Sequence, residues 1–215
     1  MKRAAKVVVF VASLVPVALL VRGALVGDLG VNPAETIQLT TGRWAFKFLL
    51  LTLAVTPLRR LTRWNVVIQY RRMLGLFAFF YATLHFLSYW AFDLLFAFSG
   101  IVKDIGKRPF ITVGFAALVL MVPLAVTSTK GWIRRLGRNW ARLHWLIYAS
   151  AILAAVHFGW KVKVFTGDPV YYASAVALLL GFRVVWAATH RPRGAVTRQG
   201  SRGPVREPVA AEPRG

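Results

Sequence analysis

The sequence has 215 residues, of which 57% are hydrophobic, and it carries a formal net charge of +21. A soluble domain this apolar would precipitate, and a nucleic-acid-binding domain this basic would hold far fewer leucines and phenylalanines. The combination is typical of an integral membrane protein whose loops carry the positive charge. The chain contains no cysteine, which excludes disulfides and thiolate ligation of iron–sulfur clusters.

Six segments are apolar over the length that a helix needs to cross a bilayer, roughly 17–25 residues. They lie near residues 6–26, 44–58, 72–98, 109–127, 141–162 and 168–189. This pattern predicts an all-α integral membrane protein, built as a six-helix bundle in the lipid bilayer.

Basic residues are concentrated in alternate connections. With the N-terminus inside, the cytoplasmic segments 2–6, 59–72 and 130–142 and the C-terminal tail hold most of the arginines and lysines. The positive-inside rule therefore predicts that both termini are cytoplasmic. The opposite side holds five of the seven acidic residues, namely Asp28, Glu35, Asp93, Asp104 and Asp168.

The two ends of the chain need separate interpretation. Residues 1–23 have the basic start and apolar run of a signal peptide, but no clean cleavage site follows, so we interpret them as the first helix. Residues 190–215 are rich in Gly, Pro and Arg and have little to bury. We therefore predict a transmembrane domain over 1–189 and a disordered, basic cytoplasmic tail over 190–215, lying against anionic lipid headgroups.

Three histidines and one arginine lie at matching depths in two predicted helices. His144 and His157 are thirteen residues apart on the fifth span, and Arg71 and His85 are fourteen apart on the third. Each separation is about 20 Å along a helix axis. Because the two spans run in the same direction, Arg71 is expected level with His144, and His85 level with His157. The pattern indicates two stacked sites, one near each membrane face.

The chemistry that best fits this pattern is axial ligation of b-type haem. Neutral imidazole is a good iron ligand, and an apolar shell holds the porphyrin. One geometric conflict stands out. Thirteen residues place His144 and His157 about 140° apart around an ideal helix, so local distortion, or two haems approached from different sides, is required. The alternative is that each histidine is a buried hydrogen-bonding residue, although an intramembrane ionisable group is costly and usually functional.

Arg71 is open to two interpretations. It is expected level with His144, where a fourth histidine would complete a pair of ligands near the cytoplasmic face. Arg71 is therefore a candidate for contact with a haem propionate or for unusual axial ligation. Arg71 and Arg72 also end a basic loop, which the positive-inside rule alone explains.

Nucleotide-binding motifs are missing from the chain. The sequence contains no dinucleotide-binding glycine fingerprint and no phosphate-binding loop. Electrons for a redox function must therefore come from a partner protein or from quinol in the membrane.

Four blocks of sequence resemble one family. They are TGRWAFKFLLLTLAVTPLRR, RRMLGLFAFFYATLHFLSY, LAVTSTKGWIRRLGRNWARLHWLIY and HFGWKVK, spread over residues 28–185. In this order they resemble the MsrQ (formerly YedZ) family, the haem-binding membrane subunits of the periplasmic protein-methionine-sulfoxide reductase system. That family falls within the ferric-reductase-like transmembrane superfamily.

The resemblance implies a function and a set of site residues. It implies one or two b-type haems in the bundle, with iron held by His85, His157 and His144, and with Arg71 at the family's arginine position. The wider superfamily has a histidine there, which leaves a second, cytoplasmic-side haem open. The resemblance also implies associated FMN in some members, with no FMN site recognisable here.

The same resemblance implies partners and a location. It predicts a bacterial inner-membrane, multi-pass electron-transfer subunit, not itself catalytic, that delivers electrons to MsrP, a periplasmic molybdopterin-containing catalytic subunit that repairs oxidised proteins. Quinol or a cytoplasmic flavin reductase would be the donor, and no nucleic acid is involved. The alternatives are a stand-alone ferric or quinone reductase or, in a different class, a small transporter or membrane anchor. No internal repeat of the transporter kind is evident in the sequence.

Overall fold

The structure, a computed structural model, describes residues 2–161 and 168–190, and these residues form helices joined by short connections. Most of the tail predicted to be disordered therefore lies outside the described residues. The helices are α1 (Lys2–Val26), α2 (Pro33–Thr62), a 3₁₀ helix (Asn65–Tyr70), α3 (Arg71–Phe92), α4 (Phe98–Lys107), α5 (Pro109–Val126), α6 (Lys130–Leu136), α7 (Arg138–Leu143), α8 (Leu146–Lys161) and α9 (Asp168–Thr189).

The all-helical, membrane-type fold class is confirmed within the described ranges. Five stretches there are long and apolar enough to cross a bilayer, namely Arg3–Val26, Asn65–Phe92, Pro109–Val126, Arg138–Trp160 and Asp168–Thr189. They match five of the six predicted spans. The remaining predicted span, 44–58, lies inside α2 and is not among these five stretches. The sequence of α2 includes charged residues such as Lys47 and Arg59. The count of six crossings and the cytoplasmic termini stay predictions.

Helix α2 is the central helix of the bundle and is longer than predicted, at 30 residues. The Asn32 side chain caps its start by accepting a hydrogen bond from the Glu35 N–H at 3.2 Å, and Pro33 occupies the first turn, where a missing N–H costs nothing. The helix ends at Thr62, and its C-cap Arg63 has a left-handed φ of 58°. Its apolar side chains form much of the buried core, which consists of residues such as Phe46, Phe48, Leu49, Leu53, Phe77 and Tyr81.

The predicted outer end of the third span, residue 98, is wrong. Helix α3 stops at Phe92, with Asp93 as its C-cap. Leu95 and Phe96 then adopt left-handed φ values of 46° and 63°, so the chain turns before the short helix α4, which was not predicted. The Tyr89 hydroxyl donates to Asp104 at 2.5 Å and ties α3 to α4.

The fifth predicted span, 141–162, is two helices with a break between them. Helix α7 ends at Leu143, the residues His144 and Trp145 form a turn, and α8 begins at Leu146. The break lies at His144 itself. His144 and His157 therefore do not lie on one continuous helix, and the separation of about 140° expected around an ideal helix does not apply to them.

Candidate functional site

His85 of α3 and His157 of α8 face each other inside the bundle. Their ring centroids are 6.1 Å apart, and the ring planes are inclined at 71°. Metal–imidazole bonds are about 2 Å long, as in zinc sites, so one ion bonded to both rings would hold their centroids about 6 Å apart. The two side chains are therefore spaced as an axial pair.

Each of these histidines is oriented by a backbone carbonyl on a neighbouring helix. His85 Nδ1 lies 2.9 Å from the Gln38 carbonyl oxygen on α2, and His157 Nδ1 lies 2.7 Å from the Phe110 carbonyl oxygen on α5. A carbonyl only accepts, so each Nδ1 carries the proton and each Nε2 carries the lone pair. Metal-bound histidines usually have this arrangement, in which the other ring nitrogen donates to a carboxylate or a backbone carbonyl.

A glycine lies directly under each ring. A Cβ atom at Gly42 would come within 3.0 Å of His85 Nδ1, and a Cβ atom at Gly114 would come within 2.6 Å of His157 Nδ1. Each glycine lies four residues after the carbonyl that its histidine contacts, so both groups share one helix face. The absence of a side chain allows each imidazole ring to lie against the neighbouring helix.

The two halves of the site are related by a shift of 72 residues. The shift carries His85 to His157 and Gly42 to Gly114, and it carries the acceptor Gln38 to Phe110. In both hydrogen bonds donor and acceptor are 47 residues apart. The hairpins α2–α3 and α5–α8 therefore present their histidines by the same device. The sequence interpretation missed this equivalence and both glycines. The available signal was that a glycine and a His-Phe dipeptide each recur after 72 residues.

The pair suits a metal whose remaining positions are filled by something other than protein. Within residues 2–161 and 168–190, no group of three or more His, Cys, Asp or Glu side chains is arranged to hold a metal ion. Two imidazoles are too few for a structural zinc site, which takes four protein ligands. They match an iron held in a macrocycle, which needs only axial ligands from the protein.

The pair lines an apolar cavity of about 230 Å³. An ordered water occupies only about 10–15 Å³ of such space, so the cavity has room for a much larger ligand. Small and aromatic side chains form its walls, as a flat apolar group requires: Ala78, Ala82, Ala117, Ala154, Phe86, Phe115 and Phe158. Two cations, Arg43 and Arg108, also line it. They pair with Asp168 and Asp104 respectively, each at 3.5 Å.

His144 and Arg71 lie in a second region, on the side predicted to be cytoplasmic. The His144 ring stacks on Trp140 with centroids 3.9 Å apart, and its Nδ1 lies 3.1 Å from the Trp140 carbonyl oxygen. The Arg71 guanidinium is near enough to act electrostatically on that ring. The structure thus groups the predicted residues two by two, His85 with His157 and Arg71 with His144.

Known proteins with similar sequences identify the family of this chain. Residues 41–155 match the family model described as "Ferric reductase like transmembrane component". A "Protein-methionine-sulfoxide reductase heme-binding subunit MsrQ" from Xanthomonas euvesicatoria pv. vesicatoria is 52% identical over 187 residues, covering 84% of this chain and 86% of the relative. The protein of that name from Herminiimonas arsenicoxydans is 48% identical over 192 residues, covering 87% and 88%. No solved structure gives a significant match.

The fold and the paired histidines define a ferric-reductase-like transmembrane protein. Within that class, the chain belongs to the MsrQ family.

Proposed function

We propose that the protein is a haem b electron-transfer subunit of a methionine sulfoxide reductase system. One observation carries the proposal. The rings of His85 and His157 face each other with centroids 6.1 Å apart, and each Nδ1 donates a hydrogen bond to a backbone carbonyl. The relatives, which are named as heme-binding subunits, support it.

His85 and His157, called the outer pair below, would hold the haem iron through Nε2. The two carbonyls fix the ring tautomers and directions, which preorganises both ligands before iron binds. A bound haem supplies one-electron redox chemistry, and the apolar walls tune its potential by excluding water. Arg43 and Arg108, which line the same cavity, are suited to hold the two propionates, because guanidinium groups bind carboxylates bidentately.

A second cofactor site is proposed around His144 and Arg71. His144 lies in the turn between α7 and α8, and Arg71 begins α3. This region lies about 20 Å along the bundle from the outer pair, as the sequence spacing implies. Two sites at this separation would form an electron path across most of the bilayer. FMN, an expectation from the family resemblance, is proposed to associate here without assigned ligands.

The proposed direction of electron flow rests on the lack of nucleotide-binding motifs in the sequence and on the family resemblance. Because the sequence has no nucleotide-binding motif, electrons would come from the quinol pool or a cytoplasmic flavin reductase. They would leave to the periplasmic molybdenum-containing subunit MsrP, which reduces methionine sulfoxide in oxidised proteins. The protein would thus reside in the bacterial inner membrane as a multi-pass, non-catalytic subunit.

The test is a reduced-minus-oxidised absorbance spectrum of the detergent-purified protein, with haem measured per chain. We expect a b-type spectrum and one or two haems. His85→Ala and His157→Ala should each abolish the outer haem, because a lone imidazole cannot supply both axial bonds. Exposed His190 provides the matched control, and His190→Ala should retain wild-type haem. Wild-type haem content in both His85→Ala and His157→Ala would refute the pairing.

A further inference from the structure

Arg183 is a charged side chain of α9 that no part of the proposed site uses. It lies six residues before the end of α9 at Thr189, so its Cα is about 9 Å inside the helix end. Helical side chains point back toward the N-terminus of their helix, which here leads deeper into the bundle. Arg183 therefore does not follow the usual behaviour of membrane arginines, which extend toward the nearest interface.

Part of the reason is a proline in the neighbouring helix. Pro57 has no N–H, so the carbonyl of Leu53, four residues earlier, loses its intrahelical partner. Arg183 Nη2 donates to that carbonyl at 2.6 Å, and Nη1 donates to the Tyr148 hydroxyl at 2.7 Å. A neighbouring side chain thus satisfies the freed carbonyl, as is common around prolines in membrane helices. Both acceptors are neutral, so this role does not use the positive charge.

The charge of Arg183 has no carboxylate beside it in the described part of the chain. The acidic residues there all lie on the side predicted to be periplasmic, and the two ion pairs found in that part, Arg43–Asp168 and Arg108–Asp104, lie on that side too. Instead, the guanidinium groups of Arg60 and Arg71 are close enough to repel Arg183. The Arg60 guanidinium lies over the Trp186 ring, 5.1 Å from its centroid. Trp186 follows Arg183 by about one turn of α9.

Two side-chain donors on the side predicted to be cytoplasmic also lack a hydrogen-bond partner in the part of the chain that the structure describes. Arg183 Nε and Gln69 Nε2 are buried and have no hydrogen-bond partner among the described residues. Gln69 lies in the 3₁₀ helix, two residues before Arg71. Buried unpaired donors are uncommon in folded proteins and call for a ligand. The guanidinium groups of Arg183, Arg60 and Arg71 have no carboxylate beside them within the described ranges, and two buried donors are unused. This combination favours the binding of an anion.

We propose that Arg183, with Arg60, Arg71 and Gln69, binds the anionic group of the cytoplasmic-side cofactor. The group would be a carboxylate or a phosphate, which accept charge-assisted hydrogen bonds from guanidinium. A haem propionate and the FMN phosphate share this chemistry. This inference rests on the proposed function, since it assigns a ligand to the second site, and it makes Arg183 a binding residue outside the set of His85, His144, His157 and Arg71.

The test compares each ligand with its neutralised form. Full-length protein made without haem is titrated with haem b and with haem dimethyl ester, and separately with FMN and with riboflavin. Because Arg43 and Arg108 are proposed to hold the propionates of the outer haem, the titrations are made in a His85→Ala background, which should lack that haem. We expect this protein to prefer the anionic member of one pair. Arg183→Gln should weaken binding of that member roughly ten- to hundredfold while leaving the neutral member unchanged. Arg183→Lys should retain most of the preference. The pair affected identifies whether the anion is a propionate or a phosphate.

Two controls separate charge from structure. Arg134→Gln removes one exposed cytoplasmic-side charge from α6 and should leave every affinity unchanged. With His85 intact, the haem bound at the outer pair should be unaffected by Arg183→Gln, which shows that the variant is folded. If Arg183→Gln weakens anionic and neutral members equally, or neither, the residue is structural and the proposal is wrong. If wild type binds no haem at all, it is the proposed function that fails.

Discussion

Gly114→Ala is the most direct probe of how the fold orients the paired histidines His85 and His157. The added Cβ would lie 2.6 Å from His157 Nδ1 and 2.7 Å from Cε1, whereas ordinary contacts begin at 3.4 Å. The ring must therefore move by roughly 0.8 Å, the difference between 3.4 and 2.6 Å. At Gly42 the nearest approach to His85 is 3.0 Å, so Gly42→Ala requires roughly half that movement.

The expected cost follows from the bond that orients the ring. Moving the imidazole weakens the 2.7 Å contact between His157 Nδ1 and the Phe110 carbonyl. A hydrogen bond of this kind contributes about 0.5–1.5 kcal/mol, and loss of such an outer-sphere partner typically lowers metal affinity by about 10–100-fold. We therefore expect Gly114→Ala to weaken haem binding at the outer pair by that factor, and Gly42→Ala to weaken it less.

Haem titration followed by difference absorbance measures the affinity, and thermal unfolding in detergent measures the fold. Gly181→Ala is the matched control, because a Cβ there meets no atom within 4 Å. That control should keep wild-type haem affinity and gain roughly 0.5–1 kcal/mol of stability, as an alanine in a helix interior does over glycine. Wild-type haem affinity in Gly114→Ala would refute the reasoning that the glycine makes room for the ring.

Two further substitutions test other parts of the structure. Tyr81 is fully buried, and its hydroxyl donates to the Ser13 carbonyl at 2.8 Å and accepts from the Val17 N–H at 3.2 Å. The hydroxyl therefore lies between a carbonyl and an N–H of α1 that are four residues apart, the usual partners of a helical hydrogen bond. Tyr81→Phe should cost about 1–3 kcal/mol of stability, measured as a lower unfolding temperature, because the Ser13 carbonyl and the Val17 N–H both lose the hydroxyl. Exposed Tyr171→Phe should leave the unfolding temperature unchanged. Arg71→Ala should leave the outer haem intact and affect only the cytoplasmic-side site. Loss of all haem on that change would contradict the separation of the two sites.

The apolar stretches, the depth of the polar residues and the family were all readable from the sequence. Length and hydropathy located five of the membrane-type helices, because a helix in lipid must be apolar over a fixed length. Counting residues also put His85 level with His157, since rise per residue is nearly constant in a helix. Blocks of sequence identified the family, which the relatives confirm.

Helix ends and breaks were less predictable. The turn at His144 and the left-handed residues Leu95 and Phe96 interrupt stretches that are apolar and favourable for a helix. Hydropathy does not change where a helix turns within or beside the membrane. The end of α3 at Asp93 is the exception, because a charge there coincides with the stop.

What the tertiary structure alone decided is the rotation of each helix about its own axis. In a membrane protein the lipid-facing and core-facing sides are both apolar, so periodicity does not say which face meets which neighbour. The carbonyls of Gln38 and Phe110 lie 47 residues from the histidines they orient, and the Leu53 carbonyl lies 130 residues from Arg183. The sequence by itself indicated which side chains are candidates to bind a cofactor and at what depth; packing of distant helices decided which of them meet.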